Sequence, residues 1–173
     1  FFRNCTLNGA VVPQDANLYC KTDPSNKEKP SYLEAEFIVN NDVYAYGFEV
    51  VLSTGTFVSE WLCKLSSTKE EYLFKKEDAQ HNYVFGGPLA KNQMLSVLGS
   101  SFAGSNALFL NFINRTMAGF YKTNPEAEVL QTIFNWIARN IDISFPATPL
   151  STSSFLANEE ALRQASKLLK AFG

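Results

Sequence analysis

A chain of 173 residues with a formal net charge of −2 and 46% hydrophobic residues fits one medium-sized packed domain. At this length a fold hides roughly 70% of the surface its unfolded chain exposes, so neither disulfides nor a metal are needed to hold it. The mild negative charge and the lack of any basic block argue against a dedicated nucleic-acid binder, and no apolar run approaches the ~18 to 20 residues of a membrane span.

Residues 1–31 form a loop-rich lead-in, with Asn, Asp, Pro, Ser and Lys in runs such as Lys21-Thr22-Asp23-Pro24-Ser25. From 32 to 87 the pattern changes to short runs rich in Val, Phe, Tyr and Trp between turn residues, which predicts an antiparallel meander of four to five strands. The strands are expected at Leu33–Val39, Val43–Leu52, Thr56–Leu65, Glu70–Lys76 and His81–Phe85. Asn40-Asn41-Asp42 should close the first hairpin, because Asn and Asp tolerate positive φ.

After Gly86-Gly87-Pro88 the period becomes helical, and residues 88–173 read as a helical subdomain. A first series opens with Leu89, Gln93, Met94, Val97 and Leu98. Asn106–Tyr121 gathers Leu108, Phe109, Phe112, Ile113, Met117 and Phe120 near one face. Pro125-Glu126 starts a further helix, Ile141–Phe145 is short and alternating, and a last helix is expected from Asn158 to Phe172. Strands first and helices after define an α+β fold in one compact unit.

The search for chemistry returns mostly negatives. A single His81 leaves no imidazole pair for a metal, and the adjacent carboxylates Glu70-Glu71, Glu77-Asp78 and Glu159-Glu160 read as solvated charge. Glu60, set among Val58, Trp61 and Leu62, is the one acid whose surroundings could shift its pKa, although an outward-facing position is the simpler expectation. Gly99–Asn106 has the glycine spacing of a phosphate loop without its Lys, and reads as a helix break. Leu52-Ser53-Thr54-Gly55 imitates an ATPase signature but reads as a hairpin turn. Cys5, Cys20 and Cys63 fit no zinc spacing and are expected as reduced thiols. A Cys5 to Cys20 disulfide would suit an exported protein instead, as would glycosylation at Asn4-Cys5-Thr6 or Asn114-Arg115-Thr116.

The strand region carries a family likeness. Phe37-Ile38-Val39-Asn40, Tyr44-Ala45-Tyr46-Gly47-Phe48, Ser59-Glu60-Trp61-Leu62 and Leu73-Phe74-Lys75-Lys76 follow one another in an order that resembles bacterial AAA-family ATPases of the ABC/SMC-like type. The stretch concerned lies between the phosphate-binding loop and the signature motif of those proteins. Lys91–Leu98, Leu108-Phe109-Leu110, Ile133–Ile137 and Leu168–Phe172 are similar to the helical segments that follow, while Lys76 departs from the Arg often found there. Tyr46, Gly47, Phe48, Glu60, Trp61 and Leu62 are the structural residues of this likeness.

The resemblance implies a segment of a larger ATPase, consistent with a chain that opens on Phe1 rather than Met. It would carry no catalytic, cofactor-binding or metal-binding residue of its own, and ATP and Mg would be held by the rest of the parent protein. The implied partners are that remainder, further copies of the chain and a nuclease, with nucleic acid met only through the full-length protein and no membrane. The implied setting is cytoplasmic, in DNA repair or phage defence. A free-standing α+β interaction or ligand-binding module and a small secreted glycoprotein are the alternatives. Tyr46, Phe48, Trp61 and Leu62 are expected to anchor the meander, whose outer edge or face would be incompletely covered in such a segment and expose an apolar patch.

Overall fold

A computed structural model describes residues 1–11, 13–77, 82–102, 104–117, 119–141 and 159–171. The strands β1 (Ser31–Val39), β2 (Asp42–Val51), β3 (Thr56–Leu65), β4 (Glu70–Lys76) and β5 (Val84–Phe85) form one antiparallel sheet in the order β1-β2-β3-β4-β5. The helices are α1 (Phe2–Asn8), α2 (Gln93–Phe102), α3 (Phe109–Thr116), α4 (Phe120–Thr123), α5 (Glu128–Asn140) and α6 (Glu159–Ala171). The α+β order of meander and then helices is therefore the observed one. Phe1–Ala138 makes one compact unit and Arg139–Gly173 a second, which contains α6 with Glu159 and Glu160 in its first turn.

Turn chemistry sets the register. Asn40 and Asn41 both take positive φ, 51° and 67°, and Val39 pairs with Asp42 across them, the two-residue loop whose twist matches the flanking strands. Gly55 at φ 69° closes the second turn with its N–H on the Val51 carbonyl at 2.8 Å. The ATPase-like Leu52-Ser53-Thr54-Gly55 thus lies in a turn between β2 and β3.

Two bulges then rephase the strands. Glu49 faces Ser59 while Val50 faces Phe57, leaving Val58 as an extra residue; Leu62 faces Phe74 while Cys63 faces Tyr72, leaving Leu73 extra. A bulge shifts the period-two alternation by one place. Phe57 therefore turns inward with Val50 although Ser59, two residues on, faces outward with Glu49.

One face of the sheet carries the core, with Tyr46, Phe48, Leu62 and Phe74 fully buried. Phe2 of α1 lies 5.8 Å from the Tyr46 ring and 5.5 Å from that of Phe48, and Trp136 of α5 stacks on Phe37 at 4.6 Å. Phe109 opens α3 amid Phe74, Tyr83, Phe85, Phe102 and Phe112, with centroids 4.8 to 6.2 Å away. Such edge and tilted contacts add to the area that each ring buries.

The helices are stopped and started by identifiable groups. Gly9 at φ 70° ends α1, and Asn111 Nδ2 donates to the last-turn carbonyls of Thr6 and Leu7 at 3.1 and 2.7 Å. The 1–31 lead-in thus holds a helix that its loop-like composition hides. Asn92 Oδ1 accepts from the Leu95 N–H at 2.8 Å, capping α2. α2 runs through the buried Gly99, where a Cβ would sit 2.7 Å from the Phe85 ring, and ends at Phe102, within the Gly99–Asn106 stretch expected to break the helix. The single helix expected over Asn106–Tyr121 is two: α3 ends before Met117, and α4 restarts after Gly119 at φ 81°. His81, residues 142–145 and both ends of the expected Asn158–Phe172 helix lie outside the described residues.

Trp61 departs from the expected core role. It pairs with Gly47 on the face opposite Tyr46, Phe48 and Leu62, and is half-buried. Period two forbids Trp61 and Leu62 from sharing a face. Trp61→Ala should accordingly cost about 1 to 2 kcal/mol, against about 3 to 5 kcal/mol for Phe109→Ala in the aromatic core. Urea midpoints of the two variants check this, and equal losses would contradict the two-faced assignment.

Candidate functional site

The six residues that carry the family likeness are brought together. In the β2–β3 register Tyr46 faces Leu62, Gly47 faces Trp61 and Phe48 faces Glu60, three successive cross-strand pairs at the centre of the sheet. Two sites grow from this point, one on each face.

On the inner face is Glu60, 1% exposed, not the outward-facing acid that its strand suggested. Its Oε1 accepts from the Tyr46 hydroxyl at 3.0 Å and the Leu110 N–H at 3.1 Å; its Oε2 accepts from the Tyr83 hydroxyl at 2.6 Å and the Phe109 N–H at 2.7 Å. The N-cap position of α3 is Leu108, which has no capping side chain. Glu60 does that job from 49 residues away. It satisfies two of the N–H groups that a helix start leaves unpaired, and its charge suits the positive end of the helix dipole.

Burial raises the Glu60 pKa from its ordinary value of 4.5, and the four donated hydrogen bonds hold back part of that rise. The same burial, with Glu60 alongside, drives the Tyr46 and Tyr83 phenols well above their ordinary values, so both remain donors. The signal for this node was Glu60 between apolar neighbours, but Tyr83, Phe109 and Leu110 were not legible as its partners.

On the outer face a cavity of about 430 Å³ is lined by β1 to β4 and Glu77. The Trp61 indole covers Gly47, where a Cβ would come within 2.4 Å of Cζ2 and 2.8 Å of the Leu33 carbonyl; only glycine leaves room for the ring. Trp61 Nε1 donates to Glu34 at 2.6 Å, and the Tyr32 ring lies 5.1 Å away. Ser59 Oγ donates to Glu49 at 2.8 Å. Lys75 Nζ sits 5.3 Å from the Tyr72 centroid and 2.5 Å from Glu77.

This face was expected to be open and apolar. It is open but charged, with Glu34, Glu36, Glu49, Glu70 and Glu77 in the cavity wall against Lys75, while Lys76 turns its ammonium to the Tyr83 ring on the inner face. Partial desolvation first and Glu34 after it push the largely exposed Tyr32 phenol to about 12, while burial followed by Glu70 and Glu34 pushes the Cys63 thiol to about 11. A thiol held there is protonated at neutral pH and is no nucleophile.

All three cysteines are free, Cys5 and Cys63 buried and Cys20 exposed, which sets aside the Cys5 to Cys20 disulfide. Asn114, in the second glycosylation-type triplet, uses its Nδ2 on the Leu110 and Leu130 carbonyls at 2.8 and 3.5 Å, and Thr6 of the first triplet is buried. Among the described residues no group of three His, Cys, Asp or Glu side chains is placed to hold a metal ion, and no helix is long and apolar enough to cross a membrane. No protein-family model matches the chain, and no curated protein or solved structure matches it.

Glu60→Gln keeps the shape but turns an NH₂ toward two donors. The tyrosine hydroxyls can reverse, whereas the Phe109 and Leu110 N–H groups have no such freedom. One buried N–H is left unpaired, at a cost of about 1 to 3 kcal/mol. The pH dependence has a definite sign: with the folded pKa above the unfolded one, the native state binds the proton more tightly, so Glu60's contribution is greatest below 4.5 and falls as pH rises through the folded pKa. Urea midpoints of wild type and Glu60→Gln from about pH 4 to about pH 8 should show the gap between them narrowing as pH rises. A pH-independent gap would count against the raised pKa.

Proposed function

We propose that the chain is a non-catalytic structural and regulatory segment of a bacterial AAA-family ATPase of the ABC/SMC-like type, with ATP and Mg held by parts of that protein outside residues 1–173. The observation that supports this reading is the clustering of the resemblance residues. Tyr46, Gly47, Phe48, Glu60, Trp61 and Leu62 are adjacent pairs on two strands, among which Glu60, held by Tyr46, ties the sheet to the start of α3 while Trp61 packs over Gly47 on the other face. A motif with that job is a fold determinant, as a segment flanking a nucleotide site requires.

The rest of the parent is the first partner in this reading. β1 is the edge of the sheet, nine residues long, and an edge strand offers unpaired N–H and C=O groups along which further strands can add. The wider setting that goes with it is a cytoplasmic ATPase of DNA repair or phage defence, acting with further copies of itself and a nuclease. A free-standing binding module is the second reading, and the outer-face cavity favours it.

Phosphate affinity in such ATPases needs a loop Lys and a nest of backbone N–H groups, which Gly99–Asn106 does not supply. Titration calorimetry of the 173-residue chain with Mg-ATP should therefore show no micromolar binding, whereas a longer product of the same reading frame should bind and hydrolyse ATP. Micromolar binding by the short chain would overturn the proposal. A frame without a Gly-Lys-Ser or Gly-Lys-Thr loop ahead of Phe1 would leave the module reading in its place.

A further inference from the structure

We infer that the outer face of the sheet is a docking surface for an extended basic segment of a partner protein, one that presents Lys or Arg at alternate positions. The proposal does not depend on nucleotide chemistry and stands whether or not the ATPase reading holds.

Charge is the first argument. Five carboxylates stand in the wall of a cavity of about 430 Å³ against the one ammonium of Lys75, the Lys76 ammonium lying over the Tyr83 ring on the inner face, so the outer face is net negative by four within a chain whose total is only −2. A second copy presenting the same face would bring carboxylates against carboxylates, and a phosphate backbone would be repelled.

The aromatic groups supply the second argument. Tyr32, Trp61 and Tyr72 stand among those carboxylates, and cations are drawn to the faces of such rings. The face already holds one ammonium in this way: Lys75 Nζ lies between the Tyr72 ring and Glu77. An incoming Lys or Arg would meet the same chemistry at Trp61 and Tyr32, whose rings are set side by side by the glycine beneath the indole.

Spacing selects a polypeptide over a small cation. Glu34 and Glu36 stand two residues apart on one face of β1, about 6.6 Å along the strand, and the acids run from β1 to β4, about 14 Å across at one strand spacing per step. No single ammonium reaches all of them. An extended chain repeats its side chains on one side at the same two-residue interval, so alternating cations match Glu34 and Glu36 in register.

The test uses the 173-residue chain and a short acetylated, amidated peptide of alternating lysine and threonine, titrated by calorimetry at low salt. Saturable binding is expected. It should weaken about tenfold or more in Glu34→Gln/Glu36→Gln/Glu70→Gln, which removes three charges from the face. The control Glu28→Gln/Glu159→Gln/Glu160→Gln removes three exposed carboxylates that do not line the cavity and should bind like wild type. Far-ultraviolet circular dichroism checks that both variants fold. Absence of saturable binding would overturn the proposal, as would an equal loss in both variants, which would reduce the effect to net charge. Sedimentation showing a dimer that the peptide does not displace, and that the face variant alone abolishes, would assign the face to a second copy instead.

Discussion

The structure depends on one buried carboxylate. Glu60 leaves the middle of β3, crosses the layer and accepts from two tyrosines and from the first two N–H groups of α3. Each partner belongs to a different part of the chain: Tyr46 to β2, Tyr83 to the segment before β5, Phe109 and Leu110 to the helical half. A charged group in an apolar layer is tolerated only when its lone pairs are occupied, and here all four partners must be in place together. The sheet and the helices are thus held in one arrangement by a group that permits few others. The aromatic packing around Phe109 supplies bulk, and the carboxylate supplies direction.

How much of this was legible depended on range. The four principal strands, the Asn40-Asn41 turn and the change of period after Gly86-Gly87-Pro88 are local features, written in residue types whose preferences act over a few positions. Thr56–Leu65 and Glu70–Lys76 fall where alternation and turn residues place them. Facing was harder to read, because it depends on the bulges at Val58 and Leu73, which no pattern of hydrophobicity announces. With Trp61, Leu62 and Cys63 consecutive and apolar, alternation within β3 is masked; Glu60 was set outward and Trp61 inward, the reverse of what the pairing with Phe48 and Gly47 imposes.

Helix limits were lost for a related reason. α1 ends on Gly9 where Asn111, about a hundred residues on, donates to its last carbonyls, and α3 begins at Phe109 because Glu60 waits there. Neither cap is a neighbour in sequence, so Asn106–Tyr121 looked like one helix and Phe2–Asn8 like none. The six residues on which the expected resemblance rests lie in two short runs, and those runs pair with each other across β2 and β3.

The distance along the chain between Glu60 and its helix shapes how the protein reaches its native state. The first three hairpins of the meander close over two to four residues and cost little loop entropy, whereas the contact with α3 spans 49. A sheet assembled ahead of its helices would leave the Glu60 carboxylate to water on an uncovered face, with two of its four protein donors still missing. The site is completed only by the helical half, so the order in which the strands are synthesised is not the order in which the contacts of Glu60 accrue. A ribosome releasing this chain would have to deliver Leu110 before the ring of donors around Glu60 could close.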